Sequence, residues 1–202
     1  MNNSTNTKRQ AANWVREDFG HVLAAAEKGK LAAQVELSKR YLTGRDVPRN
    51  SKEGYLWADV AASRGDREAL HILGHCHATG TGVEPSGRAA FDCFVKAALL
   101  GHVVSVYNLA VCYQYGIGVK KDYTMAYSLY EDAANRGYAK AKDFLAAKLW
   151  NKDVEDTHSH RRDVILAWYA DQAEKGDELA RENLSLVRKN RRARIDGGFV
   201  LE

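Results

Sequence analysis

Four glycines lie 36 residues apart in this chain, and that fixed spacing constrains the fold more than any other feature. They are Gly29, Gly65, Gly101 and Gly137, and each follows an alanine-rich run. A constant period of this length marks a stack of supersecondary units, each of which buries its apolar face only against its neighbours. The sequence therefore predicts a solenoid, and solenoids mostly work as binding surfaces.

The residues that follow each glycine predict a first helix, which we call helix A. A small residue comes four positions after the glycine and a leucine comes eight after it, so both lie on one stripe of an α-helix. The small residues are Ala33, Ala69, Ser105 and Ala141, and the leucines are Leu37, Leu73, Leu109 and Leu145. We expect this stripe to point into the stack as core.

A glycine turn ends helix A in three units and leads to a second helix, which we call helix B. Gly44, Gly80 and Gly116 are expected to adopt the positive φ that terminates a helix. A polar residue follows each turn and is predicted to cap helix B; these residues are Ser51, Ser86 and Asp122.

The unit from Gly101 to Gly137 carries a set of residues that identifies a family. The set comprises Leu109, Tyr113, Gly116-Ile117-Gly118-Val119, Asp122, Ala126, Tyr130 and Ala133-Ala134. In this pattern the chain resembles the Sel-1-like repeat family, which is related to the tetratricopeptide repeats. The resemblance covers about residues 21 to 190. It implies an all-α solenoid of stacked antiparallel helix pairs, with A helices lining the inner surface and a role as an adaptor in protein complexes.

Three segments are predicted along the chain: a disordered tail over residues 1–10, one repeat domain over 11–190 and a basic tail over 191–202. The domain would hold an N-terminal helix from Ala11 to Lys28, repeats at about 30–65, 66–101, 102–137 and 138–176, and a final helix over 177–190. In the fourth repeat, a polar segment from Lys152 to His160 replaces the glycine turn. A plain surface loop is the favoured interpretation of that segment, and a projecting recognition element is the alternative.

The formal net charge of +4 has a local origin. Five basic residues crowd the C-terminal region, and they are Arg188, Lys189, Arg191, Arg192 and Arg194. A solvated basic tail is the favoured interpretation, and contact with phosphate or an acidic partner is the alternative. No basic face runs along the repeats, which argues against nucleic-acid binding as the main activity.

The cysteines and the hydropathy pattern predict a cytoplasmic protein. No apolar stretch approaches the ~18 residues of a membrane span, and the N-terminal residues lack the apolar segment of a secretory signal. The chain has three cysteines, Cys76, Cys93 and Cys112, all of which we expect to be free thiols.

No motif of a known catalytic or cofactor site is present, so we expect no catalytic residue and no cofactor. The best chemical candidate is a cluster on one A helix, formed by His71, His75, Cys76 and His77. His71 and His75 are one turn apart and would need at least a third ligand from a neighbouring helix to hold a metal ion. We favour histidines that hydrogen-bond a partner over a metal site.

Helical geometry predicts which side chains line the groove of the solenoid. If the core stripe points inward, the residues three, six, ten and thirteen positions after each glycine point the opposite way. They are Ala32, Val35, Lys39, Leu42, Glu68, His71, His75, Ala78, Val104, Tyr107, Val111, Gln114, Lys140, Asp143, Ala147 and Trp150. Val104, Tyr107, Val111 and Trp150 are apolar, which suggests a protein interface. Their partial burial by tight superhelical curvature is an equally weighted alternative.

These observations together predict a noncatalytic module that binds a protein or peptide through its concave groove. An immunity-type inhibitor that neutralises a cognate toxin or effector is the alternative. A metal-dependent enzyme, favoured only by the histidine cluster, ranks third.

Overall fold

A computed structural model describes residues 14–150, with side chains as far as 145, and residues 170, 173–176, 181 and 185. Several predictions made above lie outside these residues. They are the tail over 1–10, the segment from Lys152 to His160, most of the final helix over 177–190, the basic tail and the side chains of Ala147 and Trp150.

The described part of the chain contains eight helices and no strand. In chain order they are α1 (Phe19–Glu27), α2 (Leu31–Thr43), α3 (Ser51–Ser63), α4 (Arg67–Thr79), α5 (Gly87–Leu99), α6 (Val103–Tyr115), α7 (Tyr123–Asn135) and α8 (Ala139–Trp150). Helices α2, α4, α6 and α8 are the A helices, and α3, α5 and α7 are the B helices. The fold is the predicted α-solenoid of helix pairs. Within the described ranges, no helix has the length and the apolar composition that crossing a bilayer requires.

The chain divides into two compact units between Leu129 and Tyr130, inside α7. The first unit holds α1 to α6 and the start of α7, and the second holds the rest of α7 and α8. The prediction of one domain over residues 11–190 stays a prediction.

The core stripe of the A helices is buried as the repeat pattern predicts. In the first unit, Leu37, Leu73 and Leu109 are at most 7% exposed, and the small residues four positions before them are fully buried. In the second unit, Ala141 and Leu145 are fully buried. Burying one leucine contributes about 1.5–3 kcal/mol, so this stripe is a main source of stability.

Glycine turns end the A helices of the first unit as predicted. Gly44, Gly80 and Gly116 have φ values of 77°, 71° and 75°, in the left-handed region that favours glycine. The second glycine of the turn is held by a different constraint. A Cβ on Gly82 would lie 2.1 Å from the backbone oxygen of Ser51, at the start of the preceding B helix. The turn therefore also fixes how closely successive repeats approach.

One predicted B-helix cap is wrong and two are confirmed. Helix α3 is capped by Asn50, whose side chain accepts a hydrogen bond from the Glu53 N–H at 3.2 Å. Ser51 is already the first helical residue, whereas a capping residue needs the extended backbone that Asn50 has. Ser86 and Asp122 cap α5 and α7 as predicted, with hydrogen bonds of 3.2 and 3.0 Å.

The prediction of one continuous N-terminal helix from Ala11 to Lys28 is also wrong. The backbone turns at residues 15–17, and α1 begins at Phe19 after its cap, Asp18. The buried Arg40 of α2 explains the interruption, because its Nη2 donates to the backbone oxygens of Trp14 at 3.0 Å and Glu17 at 2.7 Å. The guanidinium that donates to these carbonyls lies 26 positions after Trp14 and 23 positions after Glu17.

Candidate partner-binding site

The predicted groove residues of the first unit lie on three A helices. Lys39 is on α2, Glu68, His71 and His75 are on α4, and Val104, Tyr107, Val111 and Gln114 are on α6. We call the surface formed by these eight residues, with His102 and Asn108, the A face. His75 is exposed and the other seven predicted residues are half-buried. Partial burial, the alternative considered from the sequence for the apolar residues, therefore applies to Val104, Tyr107 and Val111.

Val35 was expected to face the groove, and that expectation is wrong. Its side chain is only 7% exposed and belongs to a core cluster that includes Ala61 of α3 and Ile72 and Leu73 of α4. The reason is that the next repeat packs over this side of α2. In the second unit, Lys140 and Asp143 are exposed on α8.

A chain of polar contacts links the three A helices of the first unit. The Lys39 Nζ lies 2.9 Å from Glu68 Oε1, which joins α2 to α4. The other oxygen of this carboxylate, Oε2, lies 3.1 Å from His102 Nε2. His102 is the residue that caps α6, since its Nδ1 accepts a hydrogen bond from the Ser105 N–H. Its proton is thus on Nε2, where it is donated to Glu68.

A second set of contacts joins α4 to α6 directly. The Ser105 Oγ lies 3.0 Å from His71 Nδ1 and 2.9 Å from His102 Nδ1. The Asn108 amide donates to His75 Nε2 at 3.2 Å. The His71 ring lies 4.7 Å from the His75 ring and 4.4 Å from the His102 ring, measured between centroids. We call these six residues, Glu68, His71, His75, His102, Ser105 and Asn108, the histidine network.

Half of the histidine network was not predicted from the sequence. The missed residues are His102, Ser105 and Asn108, which lie 34, 34 and 33 positions after Glu68, His71 and His75 respectively. This spacing is slightly shorter than the repeat period, because a residue on one A helix contacts a residue nearer the start of the next. Searching for polar pairs at that spacing would have found all three.

The electrostatics of the network favour an ionised Glu68 and uncharged His71 and His75. The hydrogen bond from His102 lowers the pKa of Glu68 to about 2, and Lys39 contributes in the same direction. Burial, together with the neighbouring His102 and His75, lowers the pKa of His71 to about 3. Burial and His102 also lower the pKa of His75. At neutral pH, Glu68 offsets the charge of Lys39.

We expect this arrangement to make the protein sensitive to acid. The pKa of His71 falls from an ordinary 6.5 to about 3 on folding, so the unfolded chain binds more protons between these values and stability is lost as pH falls. His71→Gln keeps a hydrogen-bonding group but cannot titrate. As the pH falls across this range, the free energy of unfolding should drop by on the order of 2–4 kcal/mol less in the variant than in the wild type. Urea unfolding followed by circular dichroism would measure this difference.

His21→Gln is the matched control, because His21 is an exposed histidine on α1 that contacts only Glu17 among the ion pairs of the first unit. A profile for His71→Gln that overlays the wild type would show that His71 is protonated as readily in the folded protein as in the unfolded chain.

The network contains the elements of a Ser-His-carboxylate triad but cannot act as one in this arrangement. Ser105 Oγ, His102 and Glu68 are joined by hydrogen bonds of the required length. Ser105 is fully buried, however, so a substrate carbonyl cannot reach its Oγ. The contacts instead fix the relative position of α4 and α6.

The histidine pair does not form a metal site with a third ligand in the part of the chain described here. No group of three or more histidine, cysteine or acidic side chains in these ranges is placed to hold a metal ion. His71 and His75 each have one ring nitrogen engaged with α6. The expectation of a metal-free face stays a prediction.

Comparisons with known proteins agree with this architecture. A family model described as the Sel1 repeat matches residues 31–66, 67–102 and 103–138, within one residue of the first three predicted repeats. A curated relative, chitin synthase regulatory factor 3 of Schizosaccharomyces pombe, is 37% identical over 79 residues. That match covers 38% of this chain but only 8% of the relative, so this chain corresponds to less than a tenth of it.

Three solved structures share the fold. The Sel1 repeat protein of Oxalobacter formigenes is 38% identical with a TM-score of 0.54, over 61% of this chain and 92% of that one. A protective antigen of uropathogenic Escherichia coli with an SLR fold is 29% identical with a TM-score of 0.67, over 81% of this chain and 34% of that one. The cysteine-rich protein B of Helicobacter pylori is 18% identical with a TM-score of 0.50, over 68% and 96%, and supports the fold alone.

The family assignment rests on three consecutive repeats that together cover more than half of the chain. The turn glycines and the buried stripe described above are the physical basis of that match. The chain belongs to the Sel1 repeat family.

Proposed function

We propose that this protein is a noncatalytic module that binds one specific protein partner through its A face. Sel1 repeats generally mediate protein interactions and are typically noncatalytic scaffolds. The observation that carries the proposal is the set of contacts made by Lys39 and the histidine network, which together join three successive A helices. The name of the S. pombe relative, a regulatory factor, suits a role exerted through another protein.

A surface held in this way is well suited to binding. Ordering a flexible side chain at an interface costs about 0.5–1.5 kcal/mol, and side chains that are already hydrogen-bonded avoid most of that cost. Lys39, Glu68 and His102 are held together before any partner arrives. Beside them, Val104 and Val111 are half-buried apolar groups on α6. An apolar centre with a polar rim is the usual composition of a protein interface.

The proposal predicts that substitutions on the A face weaken partner binding. Affinity capture from cells of the native host would provide the partner, and calorimetry would then compare variants. Tyr107→Ala and His75→Ala should each weaken binding by about tenfold or more, because truncating a side chain at the centre of an interface is costly. Leu56→Ala and Val60→Ala, which truncate exposed apolar residues of the B helix α3, should change affinity by less than about twofold.

Circular dichroism of all four variants would control for loss of folding. The proposal is wrong if the α3 variants weaken binding while the A-face variants bind normally.

Charge reversal at Arg191 and Arg192 should by contrast alter mainly the association rate of the partner and the salt dependence of that rate. If the captured partner is an enzyme or a toxin, assaying its activity in the complex separates an inhibitor, which abolishes the activity, from an adaptor, which leaves it intact.

The cytoplasmic location belongs to this proposal as well. In the structure, Cys76, Cys93 and Cys112 are free thiols, as expected for a protein in a reducing compartment.

A further inference from the structure

A depression lies between α2 and α4 in the first unit, next to the histidine network. Its volume is about 220 Å³. The lining residues are Leu42, His71, Ile72, His75, Cys76, Thr79 and Thr81. Ile72 and Cys76 are buried members of the core cluster, and Leu42 is a half-buried residue packed against the same cluster. The depression therefore opens from the A face down to the hydrophobic core.

The two threonines and two histidines that line the depression each make a hydrogen bond inside the protein. The Thr79 hydroxyl donates to the His75 backbone oxygen at 2.8 Å, so the Thr81 hydroxyl, 2.7 Å away, donates to Thr79. His71 is bonded to Ser105 and His75 to Asn108. Almost all of the accessible surface of the depression is apolar, so an apolar group fits it better than a polar ligand does.

The charge around the depression points to the same kind of occupant. His71 is uncharged at neutral pH because burial lowers its pKa to about 3. The charged groups that act on it are Lys39 of α2 and Glu68 of its own helix, and these two pair with each other. The remaining ionisable neighbours are His75 on α4 and His102 before α6. The two histidines that line the depression, His71 and His75, thus bring no charge to it at neutral pH.

We propose that this depression is a socket for one apolar side chain, of about the size of leucine or methionine, on the partner's polypeptide chain. The proposal deepens the proposed function and rests on it for the identity of the partner as a protein. The socket would anchor the partner where the A face reaches the core, and the surrounding hydrogen-bonded rim would exclude water from the contact.

The probe for the socket is N-acetyl-leucine amide, titrated into the isotopically labelled full chain at neutral pH and followed by amide NMR spectra. N-acetyl-glutamine amide, a polar probe of similar size, is the control. We expect saturable shifts with the leucine probe in the millimolar range at Ile72, Cys76 and Thr79, and no saturable shifts at these amides with the glutamine probe. Equal responses to the two probes, or no saturable response to leucine, would overturn the proposal.

Two variants test the location. Thr79→Tyr places a ring at the rim of the socket, and a tyrosine occupies the same register position in the next repeat as Tyr115. Thr43→Tyr is the matched control, because Thr43 occupies that position in the preceding repeat and makes the equivalent hydrogen bond, to the Lys39 backbone oxygen at 2.7 Å. Leu42→Ala removes one wall of the socket, and Leu56→Ala is its control. Thr79→Tyr and Leu42→Ala should each weaken leucine-probe binding at least fivefold, and both controls should bind as the wild type does.

The same variants separate failure of the socket from failure of the proposed function. Thr79→Tyr should also weaken binding of the captured partner, whereas Thr43→Tyr should not. If His75→Ala and Tyr107→Ala weaken partner binding but Thr79→Tyr affects neither the probe nor the partner, the A face binds the partner and the socket proposal is wrong. If the probe binds at the socket but Thr79→Tyr leaves partner affinity unchanged, the partner does not use the socket and the proposal is likewise wrong.

Discussion

Gly82→Ala is expected to destabilise the protein by about 3–5 kcal/mol, against about 1–2 kcal/mol for Gly80→Ala. Both glycines lie in one turn and have positive φ, at 77° and 71°, so alanine is strained at either position. Only at Gly82 would the new Cβ meet a backbone group at close range, the Ser51 oxygen at 2.1 Å. At Gly80 the nearest atom is Pro85 Cδ at 3.4 Å, which is close to an ordinary contact.

Urea unfolding monitored by circular dichroism would measure both variants. The pair isolates the close approach between repeats, because the backbone strain is nearly the same in each. Asp46 shows that strain alone is tolerated, since it occupies the register of Gly82 in the first repeat with φ of 60°. Equal losses of stability in the two variants would mean that the turn does not press against the start of α3 in solution.

Arg40→Met is expected to cost about 3–5 kcal/mol, because it removes one partner from a buried ion pair. Arg40 is fully buried, and its Nε donates to Glu36 Oε1 at 3.0 Å. Its Nη2 also satisfies the backbone oxygens of Trp14 and Glu17. Methionine would fill much of the same space but leave those two carbonyls without their donor, and Glu36 would retain only Arg45 among its cationic partners.

Arg88→Met is the matched control for the same measurement. Arg88 also pairs with an acidic residue four positions away on its helix, Asp92, but its side chain is 73% exposed. Its loss should change stability by no more than about 0.5 kcal/mol. Adding Glu36→Leu to Arg40→Met should recover part of the stability, because it removes a buried carboxylate whose remaining cationic partner, Arg45, is exposed. If Arg40→Met were as mild as Arg88→Met, Arg40 would not hold the N-terminal turn.

The repeat itself was predictable because its physical causes recur in every unit. The buried leucines and the small residues beside them obey helical periodicity, and the glycines that end the A helices obey a conformational constraint of the backbone. Each signal appears several times at the same spacing. A departure in one repeat, such as the missing glycine turn of the fourth, therefore did not change the prediction of a solenoid.

The site was only partly predictable, because its contacts join helices from different repeats. Projecting residues onto one helix indicates which side they point to, but not what the adjacent helix places there. Val35 was expected at the surface for this reason, yet the next repeat covers it. His102 and Ser105 were missed for the same reason, since their roles depend on Glu68 and His71 of the preceding A helix.

The N-terminal turn was unpredictable from local sequence for a related reason. Trp14, Phe19 and Leu23 have helical spacing, and all three pack against one core cluster. The chain nevertheless turns before Asp18, where Arg40 binds the backbone oxygens of Trp14 and Glu17. A residue on another helix thus sets the boundary.

Hydrogen–deuterium exchange of the protein with and without its captured partner tests the central claim most directly. Most of the A face lies on α4 and α6, so we predict that amides of these two helices exchange more slowly in the complex, while those of the B helices α3 and α5 are little changed. Protection confined to α3 and α5, or to the basic segment over residues 191–202, would contradict the assignment of the A face as the binding surface.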